Sequence, residues 1–123
     1  MRTTDITVCL NTSDGKQTFT GRGFIKFPFV VHRPIIGDEL KGTGWKVSHL
    51  ASGRVAFTVA TIADANKAIE VLDQHSLFYM PDTDKFMKLC ASQGNTIVVS
   101  MWAAGYDKST GRFHNKSGAS NDI

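Results

Sequence analysis

Cysteine and proline are scarce in this chain, and long apolar runs are missing. Its two cysteines, Cys9 and Cys90, stand far apart, and neither belongs to a C-x-x-C pair. That usage excludes a disulfide-stapled scaffold or a zinc ribbon and predicts two free thiols buried in apolar surroundings. No stretch approaches the roughly 18 apolar residues that a membrane helix needs. The start "MRTTDITVCLN" has no run long enough for a signal peptide, so an intracellular, cytoplasmic location and no membrane partner are expected. Charge of one sign is also in short supply. Fourteen Lys and Arg against eleven Asp and Glu leave a net +3, enough for a local basic patch but without the clustering that nucleic-acid binding asks for.

Signatures of catalysis are equally thin. His32, His49, His75 and His114 show neither H-x-x-x-H nor H-E-x-x-H spacing, and no cysteine is close enough to join them, so no metal is expected. There is no G-x-S-x-G elbow. "TGRG" at 20–23 and "GTG" at 42–44 fall short of the phosphate-loop and dinucleotide patterns. Carboxylates such as Glu70, Asp82 and Asp84 can be paired on paper, but any helical chain offers such pairs by chance. The expectation is a protein that is not an enzyme and carries no cofactor.

What the chain does contain is a core. With 123 residues, 41% hydrophobic and 20% charged, it can fold as one domain over residues 1–123 without staples. "ITVCL" (6–10) alternates, "SDGK" (13–16) is a turn, and "QTFTGRGFIKFPFVV" (17–31) resumes extended structure. That last run holds too many apolar residues for one sheet face, so it is expected either to be covered on both sides or to pack in an oligomer. Pro28 places it at an edge or a bulge, where its phenylalanines would form a subunit interface. "HRPIIGDELKGTG" (32–44) is a connection. "GWKVSHLASGRVAFTV" (44–59) reads as a hairpin, with Trp45, Val47, Val55 and Phe57 facing the core and Gly53 supplying the positive φ of the turn.

Thr61 then caps a helix over 62–74 whose inward stripe is Ile62, Ala65, Ile69 and Leu72. A second, shorter helix starts near Asp82 to Asp84 and stops at Gly94. "NTIVVSMW" (95–102) reads as a buried strand, and the last residues, about 116–123, as a loose tail. The fold class is therefore α+β, mainly antiparallel sheet with two helices packed on one face.

The groups left over are cationic, imidazole and aromatic. Purines gain roughly 1–3 kcal/mol per base from stacking on aromatic side chains, and arginine grips phosphate with a planar fork of donors. The combination occurs in "FVVHRP" (29–34), "HSLFYMP" (75–81) and "GYDKSTGRFHNK" (105–116). Candidate ligand residues are thus His32, Arg33, Phe78, Tyr79 and Arg112, with Arg22 and Arg54 as further anion contacts. Each has a plainer alternative: a solvated strand end for His32 and Arg33, a linker packed on the core for Phe78 and Tyr79, a basic tail for Arg112. His49, just before the turn, reads as structural, bonding the hydroxyls or backbone of its own loop.

The order "GRGFIKFPFVVHRP", then "GWKVSHLASGRVAF", then at once the helix "TIADANKAIEVLD" resembles small phage-encoded proteins in which a W-x-V-T-H-x-x-T-G hairpin precedes a helix. Among these it is most similar in order and length to the Thoeris anti-defence sponges, which sequester cyclic ADP-ribose signals made by host TIR-domain enzymes. The resemblance covers roughly residues 17–75, with Ser48 and Ser52 in place of the two threonines; both keep a hydroxyl. It implies a homo-oligomer in the host cytoplasm that binds a cyclic ADP-ribose-type nucleotide without cleaving it. Two other functions are compatible with the residues: an anti-CRISPR or anti-restriction inhibitor acting by protein contact, and a weak nucleic-acid binder.

Overall fold

The structure of the protein, a computed structural model, describes residues 3–114; the tail expected to be loose lies outside them. Strands β1 (Thr4–Thr12) and β2 (Gly15–Lys26) form a long hairpin around the expected turn. A second reversal at Phe27 and Pro28, whose peptide is cis, leads into β3 (Phe29–His32). Short β4 (Ile35–Ile36) and β5 (Glu39–Leu40) follow, then β6 (Trp45–His49) and β7 (Val55–Val59). They form a curled, mostly antiparallel sheet in the order β4-β5-β2-β3-β6-β7, with β1 paired to β2.

The run 17–31 is therefore two strands, and β3, which carries Phe29, is interior, between β2 and β6. The expected edge-strand interface is not there, because Pro28 sits in the reversal instead of in a strand. The expectation that both faces are covered holds for β3, by alternation, but not for the end of β2, where Ile25 and then Phe27 are exposed. Phe29 and Val31 face the helices, whereas Val30 joins Val8, Leu10, Phe19 and Leu40 in a second cluster. The curl brings β1 onto the β6–β7 turn, where the Asn11 amide donates to the Gly53 carbonyl at 2.8 Å. Gly53 has φ +71°, and a Cβ there would meet the β1 backbone at 2.8 Å, so the position needs glycine twice over. Gly21 of "TGRG" has a similarly local purpose: the backbone of Leu40 passes where its Cβ would be.

Helix α1 (Ile62–Leu72) starts as its sequence demands. The Thr61 hydroxyl accepts from the Asp64 amide and donates to the Asp64 carboxylate. Its buried face, Ala65, Ala68, Ile69 and Leu72, lies on β6 and β7. A short 3-10 helix over Ser76–Tyr79 follows. Helix α2 (Asp84–Ala103), capped by Thr83, does not stop at Gly94, and the strand expected over 95–102 is its second half. The β-branched residues of "NTIVV" favour a strand by propensity, but Phe86, Ile97 and Met101 sit on one helical stripe and are buried against the sheet, and tertiary packing decides. The actual stop is Gly105, at φ +101°.

Beyond it β8 (Tyr106–Asp107) and β9 (Arg112–Phe113) make a small hairpin that sequence patterning did not show. It straps the outer edge of β7: the Tyr106 hydroxyl donates to the Thr58 carbonyl at 2.6 Å, and the Ala60 amide to Gly111 at 2.8 Å. Both helices belong to one main core with β3, β6 and β7, so the α+β class and the helices on one sheet face are as expected. Both cysteines are free, but Cys9 is exposed and Cys90 only half-buried, contrary to the expectation of buried thiols: Cys9 alternates outward between Val8 and Leu10. Replacing Phe29, which is fully buried at the centre of this core, by alanine is expected to lower unfolding free energy by about 3–5 kcal/mol. The same change at exposed Val99 should stay within about 0.5 kcal/mol, and urea denaturation of the two variants checks the contrast.

Candidate functional site

The hairpin β6–β7 is held by two histidines, each saturated with hydrogen bonds. His49 is 2% exposed. Its Nε2 lies 2.8 Å from the carbonyl of Phe78 and its Nδ1 2.8 Å from the Ser52 hydroxyl. A carbonyl only accepts, so Nε2 carries the proton and Nδ1 accepts from Ser52, whose oxygen in turn accepts from the Arg54 amide at 3.3 Å. The ring stacks on Phe86 with centroids 4.6 Å apart, tying β6, the turn, the 3-10 helix and α2 together.

His32 repeats the arrangement one strand over. Its Nδ1 donates to the Arg33 carbonyl and its Nε2 accepts from Ser48, both at 2.7 Å. Burial holds both imidazoles below their usual titration range, against the opposing effect of their bonds to backbone carbonyls. The two hydroxyls that the resemblance expected as threonine are thus the partners of these two rings. Ser52 and His49 look like a nucleophile and base, but Ser52 is fully buried with its hydroxyl committed to both neighbours.

Outward from this clamp, β7 and α2 do not close on each other. A cavity of about 280 Å³ lies between them, floored by His49 and Phe78 and walled by Ala56, Phe57, Phe86 and Gly94. A neighbouring hollow of about 460 Å³ shares Val55, Ala56, Phe57 and Val98 with it and is bordered by Trp102, Tyr106 and Lys108. Thr58 and Lys108 also border a third hollow of about 360 Å³ formed with Gly44, Thr110 and Gly111. The charged side chains lining these spaces are Arg54 in the first and Lys108 in the other two; among the described residues no carboxylate lines them. Cys90 lines the first cavity, and burial pushes its thiol up, against the lowering effect of Arg54.

Of the ligand residues expected from sequence, the structure brings two to this groove, Phe78 at its floor and Arg54 at its mouth. His32 is buried with both ring nitrogens engaged, so it has no face for a ligand. Arg33 donates to the Gly44 carbonyl at 3.0 Å and lies 3.7 Å over the Trp45 ring, so its charge is used in cation–π contact within the sheet. Arg22 reaches Asp5 and the Thr3 carbonyl on the β1–β2 hairpin. Tyr79 is half exposed, bonded to Asp73 and edge-on to Phe27, away from the groove lining. Arg112 sits on β9, and neither it nor Arg33 lines any of the three hollows.

The groove residues that sequence reasoning missed, Phe57, Phe86, Gly94, Trp102 and Lys108, were hidden mainly by reading 95–102 as a strand. The available signal was a glycine standing where the helical stripe from Phe86 to Met101 calls for a side chain. Among the described residues, no three His, Cys, Asp or Glu side chains gather as a metal site would require, and no helix is long and apolar enough to cross a membrane. No protein-family model, curated protein or solved structure matches the chain.

The two histidines make stability depend on pH. An unfolded chain takes up protons near the ordinary value of 6.5, whereas the folded imidazoles resist protonation. Their stabilisation is complete above that value and is lost as pH falls through the lower folded values, at up to about 1.4 kcal/mol per pH unit per histidine. Melting temperature should be level from about pH 8 to about pH 7 and decline toward about pH 5; thermal melts across that range check it, and a flat profile contradicts it.

Proposed function

We propose that the protein is a non-catalytic binding protein that sequesters a cyclic ADP-ribose-type nucleotide in the β7/α2 groove, keeping a host defence receptor unactivated. The observation that carries this reading is the groove itself: an apolar, aromatic-walled space with Arg54 in its lining, Lys108 in the lining of the neighbouring hollow, and no lining carboxylate among the described residues. Such a lining suits a ligand with a flat ring and a phosphate. The ring is stabilised by stacking and burial, worth roughly 1–3 kcal/mol per base, and the phosphate by the guanidinium fork of Arg54. The resemblance of residues 17–75 to anti-defence sponges supports the choice of nucleotide class and a site of action in the host cytoplasm. Assembly of several copies belongs to the same reading, supported by the exposed apolar Ile25 and Phe27 beside the β2–β3 reversal.

Sequestration works by mass action. A tight binder present above the signal concentration lowers free ligand below what its receptor needs, and no bond in the ligand has to break. A second reading, inhibition of a host protein by direct contact, is favoured by one specific observation. Val99 and Trp102, 54% and 55% exposed, stand out on α2 as interface anchors do.

Titration calorimetry with cyclic ADP-ribose isomers, followed by denaturation and mass spectrometry of the released ligand, tests the proposal. Heat of binding and an intact ligand are expected, with Arg54→Ala weakening affinity about tenfold and Arg22→Ala leaving it unchanged. No heat with any isomer rejects sequestration, an altered ligand makes the protein an enzyme, and a co-purifying host protein favours the second reading.

A further inference from the structure

The groove exists because one side chain is missing. The inward stripe of α2 runs through Phe86, Cys90, Ile97 and Met101; between Cys90 and Ile97 it is flanked by Gln93 and Gly94, and on the side that lines the groove the residue is Gly94. A Cβ built there meets no atom within 4 Å. Across the gap stands another small residue, Ala56. The β6–β7 register steps from Val47 opposite Phe57 to Ser48 opposite Val55, so Ala56 is the extra residue of a bulge and lacks a cross-strand partner. Glycine weakens the middle of a helix. A helix that keeps glycine on the side lining the groove forgoes helix stability there and the contacts a larger side chain would make. Gly94 and Ala56 are flanked by the rings of Phe57 and Phe86, the second fixed by its stack on His49, and Arg54 stands at the mouth.

We propose that Gly94 is the specificity-determining residue of the groove, keeping open a slot for a flat aromatic ring that carries an anionic group toward Arg54. The occupant follows from the lining. Two of the lining residues, Ala56 and Gly94, are the smallest available and leave room for a ring; the other walls are mostly apolar and aromatic; and the one lining charge is positive. This inference rests on the nucleotide reading and deepens it, by placing the base against the α2 backbone at Gly94 and the phosphate outside. It also holds for any flat aromatic anion, which separates its test from that of the nucleotide reading.

The two free cysteines provide the internal comparison. Cys90 borders the slot, while Cys9 is exposed on β1 and lines none of the three hollows. Anilinonaphthalene sulfonate, a flat aromatic anion, serves as the probe, with iodoacetamide to read thiol reactivity. In the wild type, probe fluorescence is expected to rise on binding and alkylation of Cys90 to slow by about fivefold or more, with Cys9 unaffected. Gly94→Leu fills the slot; it should weaken probe binding about tenfold or more while melting no lower than the wild type. Gly94→Ala should fall between the two in affinity.

Equal probe binding by Gly94→Leu, or unprotected Cys90 in the wild-type complex, overturns the proposal. So does a lower melting temperature for Gly94→Leu, because the space would then not be open. If the probe protects Cys90 and the cyclic ADP-ribose isomers neither protect it nor displace the probe, the slot stands and the nucleotide reading falls.

Discussion

The neutral imidazole of His49 is the constraint on which the rest depends. One ring touches four parts of the fold: β6, to which it belongs, the turn through Ser52, the 3-10 helix through the Phe78 carbonyl, and α2 through its stack on Phe86. These parts are far apart in sequence, and the bonds that join them are buried. Removing either partner would strand a polar group away from water, a loss of about 1–3 kcal/mol. Because the clamp fixes Phe78 and Phe86 relative to β7, it also fixes the floor and one wall of the groove. His32 and Ser48 lock the neighbouring strand pair in the same way, so the hairpin cannot slip its register without breaking two buried networks.

A rigid hairpin would normally leave an exposed edge, and here the edge is divided. The β8–β9 strap covers the Thr58 to Ala60 end of β7 with Tyr106 and Gly111, in the manner by which native sheets protect their edges. The Val55 to Phe57 end faces α2 across the groove instead. Structure and proposed function meet at this division: one half of the edge is used for folding, and the other is kept free, beside a helix that carries a glycine where a packing residue belongs.

Much of the frame was legible in the sequence, because it follows from local chemistry. The Thr61 cap and the stripe Ala65, Ile69 and Leu72 define α1, Gly53 defines the turn, and the alternation around Val47 and Phe57 defines the hairpin, except that the bulge at Ala56 turns Val55, expected in the core, outward to 52% exposure. The structural reading of His49 was legible too, from the Ser52 hydroxyl placed three residues away. What was not legible depends on contacts distant in sequence. The half of α2 beyond Gly94 has strand propensity and is helical only because Ile97 and Met101 have a core to face. Pro28 reads as an edge residue until the chain is seen to reverse there. Cations could be counted but not placed: Arg33 looks free in sequence, yet Trp45 lies under it and Gly44 accepts from it. Arg54 and Phe78 were the candidates that reach the groove; its opening at Gly94 was concealed by the same feature that made glycine look like a helix end.

The central claim is that a neutral, doubly bonded His49 organises the hairpin, the 3-10 helix and α2 into one groove-forming unit. Heteronuclear NMR of its imidazole nitrogens tests this most directly. The account predicts the Nε2-protonated tautomer at neutral pH, with a proton protected from exchange by its bond to Phe78 and a titration shifted below that of an ordinary histidine. An Nδ1-protonated ring, or one that titrates freely at the value of an exposed histidine, would contradict it.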